Sequence, residues 1–473
     1  MKGKADAANL DRQYVWHPFT QMRDWVKRAP RVMVSGRGAV LTDAKGKEYL
    51  DANSSIWTNL HGHRHPKLDA ALGDQAARVA HVSSLGLANE PAALLAEKLV
   101  LQSRGGRRRR LKGDLGRVFF SDDGSTAMEA GLKMVHVHVQ RERGVKRPRF
   151  LSIDGGYHGD TVGAVSLGHI DLFHGAYKGL LFGTDKVMSP YCYRCPYNRA
   201  KPERADAREY RRCSWECVGQ VERKLAAKSR SGEGYAGFVF EPLLQGAAGM
   251  IPQPEGWLRR VAKLMRQAGT LFIADEVMTG FGRVGGAKHW LGSQVEGVKP
   301  DVVCLAKGLT GGYLPMAATL VTEPIYASFL GRYEEFRTFF HGHSYSGNPL
   351  GAAVALASLE VLNSRACVTA RARLEEQMRL LSEPLWESRY VGDVRQVGLV
   401  LAVELVQDWR TRRAFALGDR VGMRVCEAMA ERGVLTRPIG NVVVVMPPYC
   451  TTSAQLEKMV AELRRAIRRV LGE

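Results

Sequence analysis

Residues 270–283, TLFIADEVMTGFGR, and residues 300–315, PDVVCLAKGLTGGYLP, are two apolar runs that each end on one polar residue. LFIAD reads as a buried strand carrying Asp275 at its end, and VVCLA as a buried strand carrying Lys307, 32 positions later. A buried carboxylate and a buried amine are both costly unless each finds a partner. Two readings satisfy both groups. One is an ion pair across adjacent strands. The other is a pyridoxal phosphate ring, whose aldehyde the lysine would take and whose pyridine nitrogen the acid would keep protonated.

Three further strand ends carry polar or glycine residues. RVFF (117–120) runs into SDDGSTAMEAGLKM (121–134), a strand–turn–helix in which Gly124 and Ser125 open a helix patterned by Ala127, Ala130 and Met134. N–H groups and hydroxyls at a helix start suit a phosphate, although small residues are common in ordinary turns. FLSIDGGYHGDT (150–161) ends a strand in glycines and Tyr157, either a cover for a planar ring or a core aromatic. GFVF (237–240) leads into EPLLQGAAGMIPQPEGWL, with Glu241 and Gln245 just past the strand. In open α/β sheets, ligands bind in the crevice at such strand ends. Five converging ends favour the cofactor over the ion pair.

In this order the motifs resemble the fold-type I, class III (ω-amino group) aminotransferases, from WHPFTQM (16–22) to RPIGNVVVVMPPY (437–449). DEVMTGFGR and AKGLTGG specify the class alone. WHPFTQM, DANSSIWTNLHGHRHP (51–66), FFHGHSYSGNPLGAA (339–353) and LTRPIG (435–440) resemble its diaminopelargonic acid aminotransferases of biotin synthesis. The resemblance implies an α/β fold with a mostly parallel central sheet flanked by helices, and a smaller α+β domain made from the two chain ends. It implies pyridoxal 5′-phosphate as cofactor, a homodimer with shared active sites, and small-molecule substrates: 8-amino-7-oxononanoate with L-lysine or S-adenosylmethionine. Carried over by residue, Lys307, Asp275 and Tyr157 are catalytic, and Gly124, Ser125, Tyr157, Asp275, Lys307, His343 and Ser344 bind the cofactor. Trp57, Phe19, Tyr157, Lys307, Gly342 and Arg437 bind substrate. Gly342, His343 and Ser344 belong to a segment that serves the partner subunit, and Arg437 pairs with a substrate carboxylate, which its planar fork suits.

The chain departs from the adenosylmethionine-using pattern at three places. Phe19 stands where a tyrosine is usual, Ile56 where a second tryptophan is usual, and His343-Ser344 where Pro-Thr is usual. All three look like the subgroup that takes its amino group from lysine. The serine keeps a hydroxyl for the phosphate, whereas the missing phenol removes a hydrogen bond from the donor pocket. Two other readings stand beside this one. The first is a class III enzyme acting on 4-aminobutyrate, ornithine or a diamine with pyruvate or 2-oxoglutarate. The second is a non-catalytic basic anion-binding protein.

Composition fits a large cofactor domain with a smaller one: 473 residues, 45% hydrophobic and 25% charged. No apolar run reaches the ~18 residues of a membrane span, and MKGKADAANLDRQY lacks a secretory hydrophobic region, so a cytoplasmic location without membrane contact is expected. The net charge of +20 is densest at Arg104–Lys112 (RGGRRRRLK). No aromatic residues interleave with these arginines, so a solvated loop is favoured over a nucleic-acid surface. Of the eight cysteines, Cys304, Cys367, Cys426 and Cys450 read as small hydrophobes. Cys192, Cys195, Cys213 and Cys217 form C-x2-C…C-x3-C in an insertion at about 189–220. They fit a structural zinc, reduced thiols or disulfides, far in sequence from the inferred chemistry.

Short strand-like pieces up to about residue 75 are expected to form the amino-terminal part of the small domain. Alternating strands and helices over 76–346 predict the large cofactor-binding domain, and 347–473 the carboxy-terminal part of the small one. The last segment has apolar residues at 456, 459, 460, 463, 467 and 470, an amphipathic helix opened by a Thr452–Gln455 capping box.

Overall fold

The two apolar runs are neighbouring parallel strands, Leu271–Asp275 and Val302–Leu305, with Asp275 opposite Cys304 in register. The structure is a computed structural model that describes residues 6–232 and 234–473, so the first five residues of the amino-terminal stretch lie outside it. The sheet holding these strands has seven members. Their order is Leu115–Ser121, Ala317–Thr322, Val302–Leu305, Leu271–Asp275, Tyr235–Phe240, Arg149–Ile153, Asp185–Val187. Ala317–Thr322 alone runs antiparallel to its neighbours, and the rest are parallel. Every residue of Tyr235–Phe240 and Val302–Leu305 is buried, as strands covered by helices on both faces require. The rings of Phe238, Phe240 and Phe272 pack within 5.7 Å of one another across neighbouring strands.

Helix Gly124–Arg143 lies over this sheet. Its side chain-free Gly131 makes the approach possible, because a Cβ there would come within 3.1 Å of Val302 and 3.3 Å of the Cys304 sulfur. The helix begins with a reciprocal cap between Asp123 and Thr126 and ends on left-handed Gly144.

The chain ends share a second sheet. Met33–Arg37, Val40–Asp43 and Glu48–Asp51 form an antiparallel meander, and Val434–Leu435 adds in parallel beside Glu48–Asp51. The hairpin Val391–Val397 and Val400–Asp408 continues into Val442–Val445. Helix Ser453–Leu471 has the Thr452–Gln455 capping box, and buries Leu456, Met459, Val460, Leu463 and Ile467. Among the described residues no single helix is long and apolar enough to cross a membrane.

Half of the arginine cluster is tied into the fold. Arg104 holds the Leu115 carbonyl at 2.6 and 2.9 Å, Arg107 approaches Asp114 at 3.4 Å, and Arg110 pairs with Glu323. The cysteine insertion straps two parts of the chain together. Arg204 donates to the Val391 and Ser388 carbonyls at 2.7 Å each, and Arg194 grips Glu404 through Nε at 2.8 Å and Nη2 at 2.6 Å. Of the three readings of the insertion's four cysteines, the structure holds all four as free thiols. Among the described residues no group of three or more His, Cys, Asp or Glu could hold a metal ion. Burial pushes the Cys192 thiol up to about 12 and Cys217 up to about 11.

Candidate active site

The carboxyl ends of the parallel strands open into a cavity of about 720 Å³. Lys307, Asp275, Tyr157, Gly124, Ser125 and Trp57 all line it, with Glu241, Thr161, His158 and Met278. Phe19, Gly342, His343, Ser344 and Arg437 lie outside that lining.

Lys307 follows its strand in a left-handed conformation, φ 45°, a strained position for a residue with a side chain. Its Nζ stands 5.2 Å from the ring centroid of Trp57. Burial pushes the amine below its ordinary range, with Asp275 and Glu241 acting in the opposite direction. A lysine so placed is a better nucleophile and base near neutrality than one in water.

Asp275 is 5% exposed. Its Oδ2 accepts from His158 Nδ1 at 2.8 Å, and its Oδ1 from the Val277 N–H at 3.1 Å. A carboxylate can only accept, so the imidazole proton sits on Nδ1. The other ring nitrogen, His158 Nε2, is buried without a partner. Glu241 accepts the Gly246 N–H at 2.7 Å and the Tyr157 N–H at 3.4 Å. Burial, reinforced by Asp275 and opposed by His158 and these two N–H groups, pushes Glu241 up to about 7.

At the opposite wall Ser125 opens the helix Gly124–Arg143. Its Oγ lies 2.7 Å from Thr161 Oγ1 and accepts the Thr161 N–H at 2.9 Å. Gly124 leaves no room for a side chain, since a Cβ would meet Val277 at 2.7 Å. Gly159, at φ +116°, is equally closed, with Ser125 2.4 Å from any Cβ. Two hydroxyls, a helix N-terminus and close-approaching backbone form a cradle for an anion. Tyr157 stands between, its hydroxyl donating to Asp160 Oδ2 at 2.7 Å. Its ring stacks near His174 at 6.1 Å and meets Phe173 edge-on at 6.4 Å. Burial, then the Asp160 bond, raises its phenol above the ordinary range.

Trp57 enters the cavity from an unusual turn. Ser54, Ser55, Ile56 and Trp57 are four successive left-handed residues, φ 47°, 47°, 63° and 68°, none of them glycine. Each costs about 1–2 kcal/mol relative to a right-handed conformation. The side chain of Trp57 is fixed by its Nε1 donating to Asn53 Oδ1 at 3.0 Å.

Of the residues outside the lining, Phe19, Arg437 and His343 connect to it at its mouth. Phe19 is 58% exposed. Its ring meets Phe173 edge-on at 5.4 Å, and Phe173 in turn meets Tyr157. Arg437 is exposed and donates to the Phe19 carbonyl at 3.0 Å. Gly342 and Ser344 are exposed, and His343 Nδ1 lies 2.8 Å from Asp122 Oδ2 of its own chain. His158 and Thr161 escape a reading of the sequence. Both sit inside the GGYHGDT loop, yet their partners Asp275 and Ser125 are 117 and 36 residues away.

Comparison with known proteins decides what this cavity serves. The family model described as aminotransferase class-III matches residues 22–467. The chain is a class III aminotransferase. Among its relatives, a Geobacter sulfurreducens adenosylmethionine-8-amino-7-oxononanoate aminotransferase is 46% identical, covering 98% of this chain and 97% of that one. One of the same name from Nitratidesulfovibrio vulgaris is 47% identical, over 97% of this chain and 81% of its own. The crystal structure of the Methanocaldococcus jannaschii enzyme of that name superposes with TM-score 0.87 at 36% identity, over 97% of this chain and 98% of that chain. A PLP-bound amine transaminase from an uncultivated Pseudomonas species gives TM-score 0.87 at 32% identity, over 96% and 98%.

The aminotransferase fold is the fold-type I arrangement, and its cofactor is pyridoxal 5′-phosphate. The residues present fit that group. The buried Asp275 carboxylate held by His158, the buried Lys307 amine and the hydroxyl-lined glycine cradle are the donors and acceptors such a molecule needs.

Proposed function

We propose that this aminotransferase moves an amino group onto 8-amino-7-oxononanoate, giving 7,8-diaminononanoate in biotin synthesis. The observation that carries this reading is the contact between the WHPFTQM and LTRPIG segments, made by Arg437 and the Phe19 carbonyl. These are two of the segments that set the biotin enzymes apart from the rest of the class. They meet at the cavity mouth, and several full-length relatives bear that enzyme's name.

When bound, pyridoxal phosphate supplies an aldehyde that takes up an amine and a protonated ring that accepts the electron pair left on the substrate carbon. Lys307 would hold the cofactor through Nζ and, once released, move the proton at the amine-bearing carbon. Asp275, oriented by His158 and the Val277 N–H, would keep the proton on the ring nitrogen. Tyr157 would cover one face of the ring, and Ser125 with Gly124 would hold the phosphate. Arg437 would swing from the Phe19 carbonyl to the substrate carboxylate, and Trp57 would wall the substrate.

The active unit is a homodimer in this reading. Gly342, His343 and Ser344 would complete the partner's phosphate site, supported by the exposure of Ser344 and of Phe340 and Tyr345 beside it, 76% and 62%. Residues 76–346 form the cofactor-binding domain and 1–75 with 347–473 the smaller one, supported by the sheet that both chain ends share. A cytoplasmic location completes the reading.

A second reading of the donor has its own observation. The relatives' names carry adenosylmethionine, whereas Phe19, against Phe173, and Ile56, next to Trp57 in the chain, are 58% and 46% exposed and offer apolar surface without a phenol. Such a surface favours the methylene chain of L-lysine over a sulfonium-linked adenosine. Mixing the holoenzyme with each donor in turn, then with 8-amino-7-oxononanoate, tests both points. Diaminononanoate should appear by mass spectrometry with one donor and not with 4-aminobutyrate or ornithine. Diamine formed with adenosylmethionine alone sinks the lysine reading, and turnover of 4-aminobutyrate with 2-oxoglutarate in its place sinks both.

A further inference from the structure

The left-handed turn at Ser54–Trp57 has no glycine to make it easy, so something outside its own backbone must hold it. That group is Asp51, 3% exposed at the end of strand Glu48–Asp51. Its Oδ1 accepts the Asn53 N–H at 3.2 Å and the Ser55 N–H at 3.0 Å. Its Oδ2 accepts the Ser55 hydroxyl at 2.9 Å and faces His63 Nε2 at 3.2 Å. Burial alone would raise this carboxyl, but the bonds from His63 and Ser55 hold it below the usual carboxylate range.

The turn is pinned again at its far side. The Ser54 hydroxyl donates to the Met446 carbonyl at 2.7 Å and accepts from buried Arg283 at 3.3 Å. The Trp57 N–H returns to the Asn53 carbonyl at 2.9 Å, and the Trp57 indole to the Asn53 side chain at 3.0 Å. The outcome is an indole facing Lys307 Nζ, and Ile56 turned outward beside it.

We propose that Asp51, acting through the turn and Asn53, is the positioning residue that sets Trp57 as the wall against which the amino donor binds. The proposal rests on the transamination reading above, and it assigns Asp51 no contact with substrate or cofactor. Released from Asp51, the four residues would relax toward right-handed backbone, and the indole would leave its place over the lysine. Donor binding would then suffer, while the phosphate cradle, on another element, would not.

The test labels the protein with 5-fluorotryptophan and assigns the Trp57 fluorine resonance by its loss in Trp57→Phe. In cofactor-free Asp51→Ala that resonance should move or split, while the other tryptophan signals stay. In the holoenzyme the donor KM should rise at least about tenfold, with cofactor affinity within about threefold of wild type. Asp51→Asn, which keeps one oxygen for the two N–H groups, should recover most of both effects. Should Asp51→Ala not fold, Asn53→Ala, which frees the indole alone, carries the same expectation. A Trp57 resonance unmoved in every folded variant overturns the proposal, as does a fall in kcat and cofactor affinity together with an unchanged donor KM. The fluorine signal needs no substrate. A wrong donor would silence the wild-type half-reaction while leaving the resonance shift in place.

Discussion

The floor of the cavity and its mouth are built on different terms. On the floor, Asp275 is 5%, Glu241 6% and His158 3% exposed, each at or just past the end of a parallel strand. At the mouth, Phe19 and Ile56 are 58% and 46% exposed on irregular backbone, and Arg437 and Ser344 reach outward. The difference teaches where chemistry and choice of substrate reside. The groups proposed to do the chemistry sit at or past the ends of strands fixed by sheet bonding and by helices on both faces, where burial can shift a pKa and geometry holds. The groups proposed to select substrate sit on segments that solvent reaches, where one substitution can change the ligand without disturbing the fold.

The largest effect belongs to the floor. Lys307→Ala should keep cofactor in the cavity yet lower turnover by about 10³-fold or more, because in the proposed mechanism one side chain would both hold the cofactor and move the proton. Stopped-flow absorbance of the donor half-reaction measures it, and near-native rates would break the division between floor and mouth. Next comes Asp275→Asn, expected to lower turnover by on the order of 10²-fold by removing the charge at the ring nitrogen. His158→Phe, which removes only what orients that carboxylate, should cost about tenfold. An equal loss in both would mean that the histidine, not the acid, meets the cofactor.

At the mouth the effect should be smaller and confined to one substrate. Arg437→Ala should reduce acceptor kcat/KM about 10- to 100-fold, or about 1.4–2.8 kcal/mol, with the donor half-reaction unchanged. An unchanged acceptor kcat/KM would leave the arginine as a tether for Phe19 and nothing more. The smallest effect returns to the floor and concerns stability. Glu241 is raised from 4.5 to about 7. Its contribution to the cofactor-free fold is therefore full below pH 4.5 and lost as pH rises through about 7. Melting temperatures across that range should fall with pH in the wild type and be flatter in Glu241→Gln. A wild-type curve no steeper than the variant's would place the titration elsewhere.

Much of the floor is legible in the sequence because strand ends have a local grammar. An apolar run closing on one polar residue suffices to put Asp275 beside Lys307 on adjacent strands, and DDGST suffices for a capped helix start at Gly124. His158 and Thr161 are not legible in that way. Their places come from pairing Arg149–Ile153 at two strands' remove from Leu271–Asp275, a long-range register that no local pattern carries. The turn under Trp57 is hidden for the opposite reason. A left-handed stretch is normally marked by glycine or asparagine, and here buried Asp51 holds SSIW there instead. The C-x2-C…C-x3-C spacing leaves a metal, reduced thiols and disulfides open, and among the described residues no group of three or more His, Cys, Asp or Glu could hold a metal ion. Spacing records chain distance and not where the sulfurs point. The mouth is least legible, since an exposed Arg437 bonded to a carbonyl looks like any surface arginine until its neighbour is Phe19.

The most direct test of the account traps the cofactor on the chain. Holoenzyme treated with borohydride, digested and mapped by mass spectrometry should carry the pyridoxyl phosphate mass on Lys307, within PDVVCLAKGLTGGYLP, and lose its yellow absorbance in proportion. A mass increment on any other lysine, or bleaching with Lys307 unmodified, would contradict the assignment on which the floor's chemistry rests.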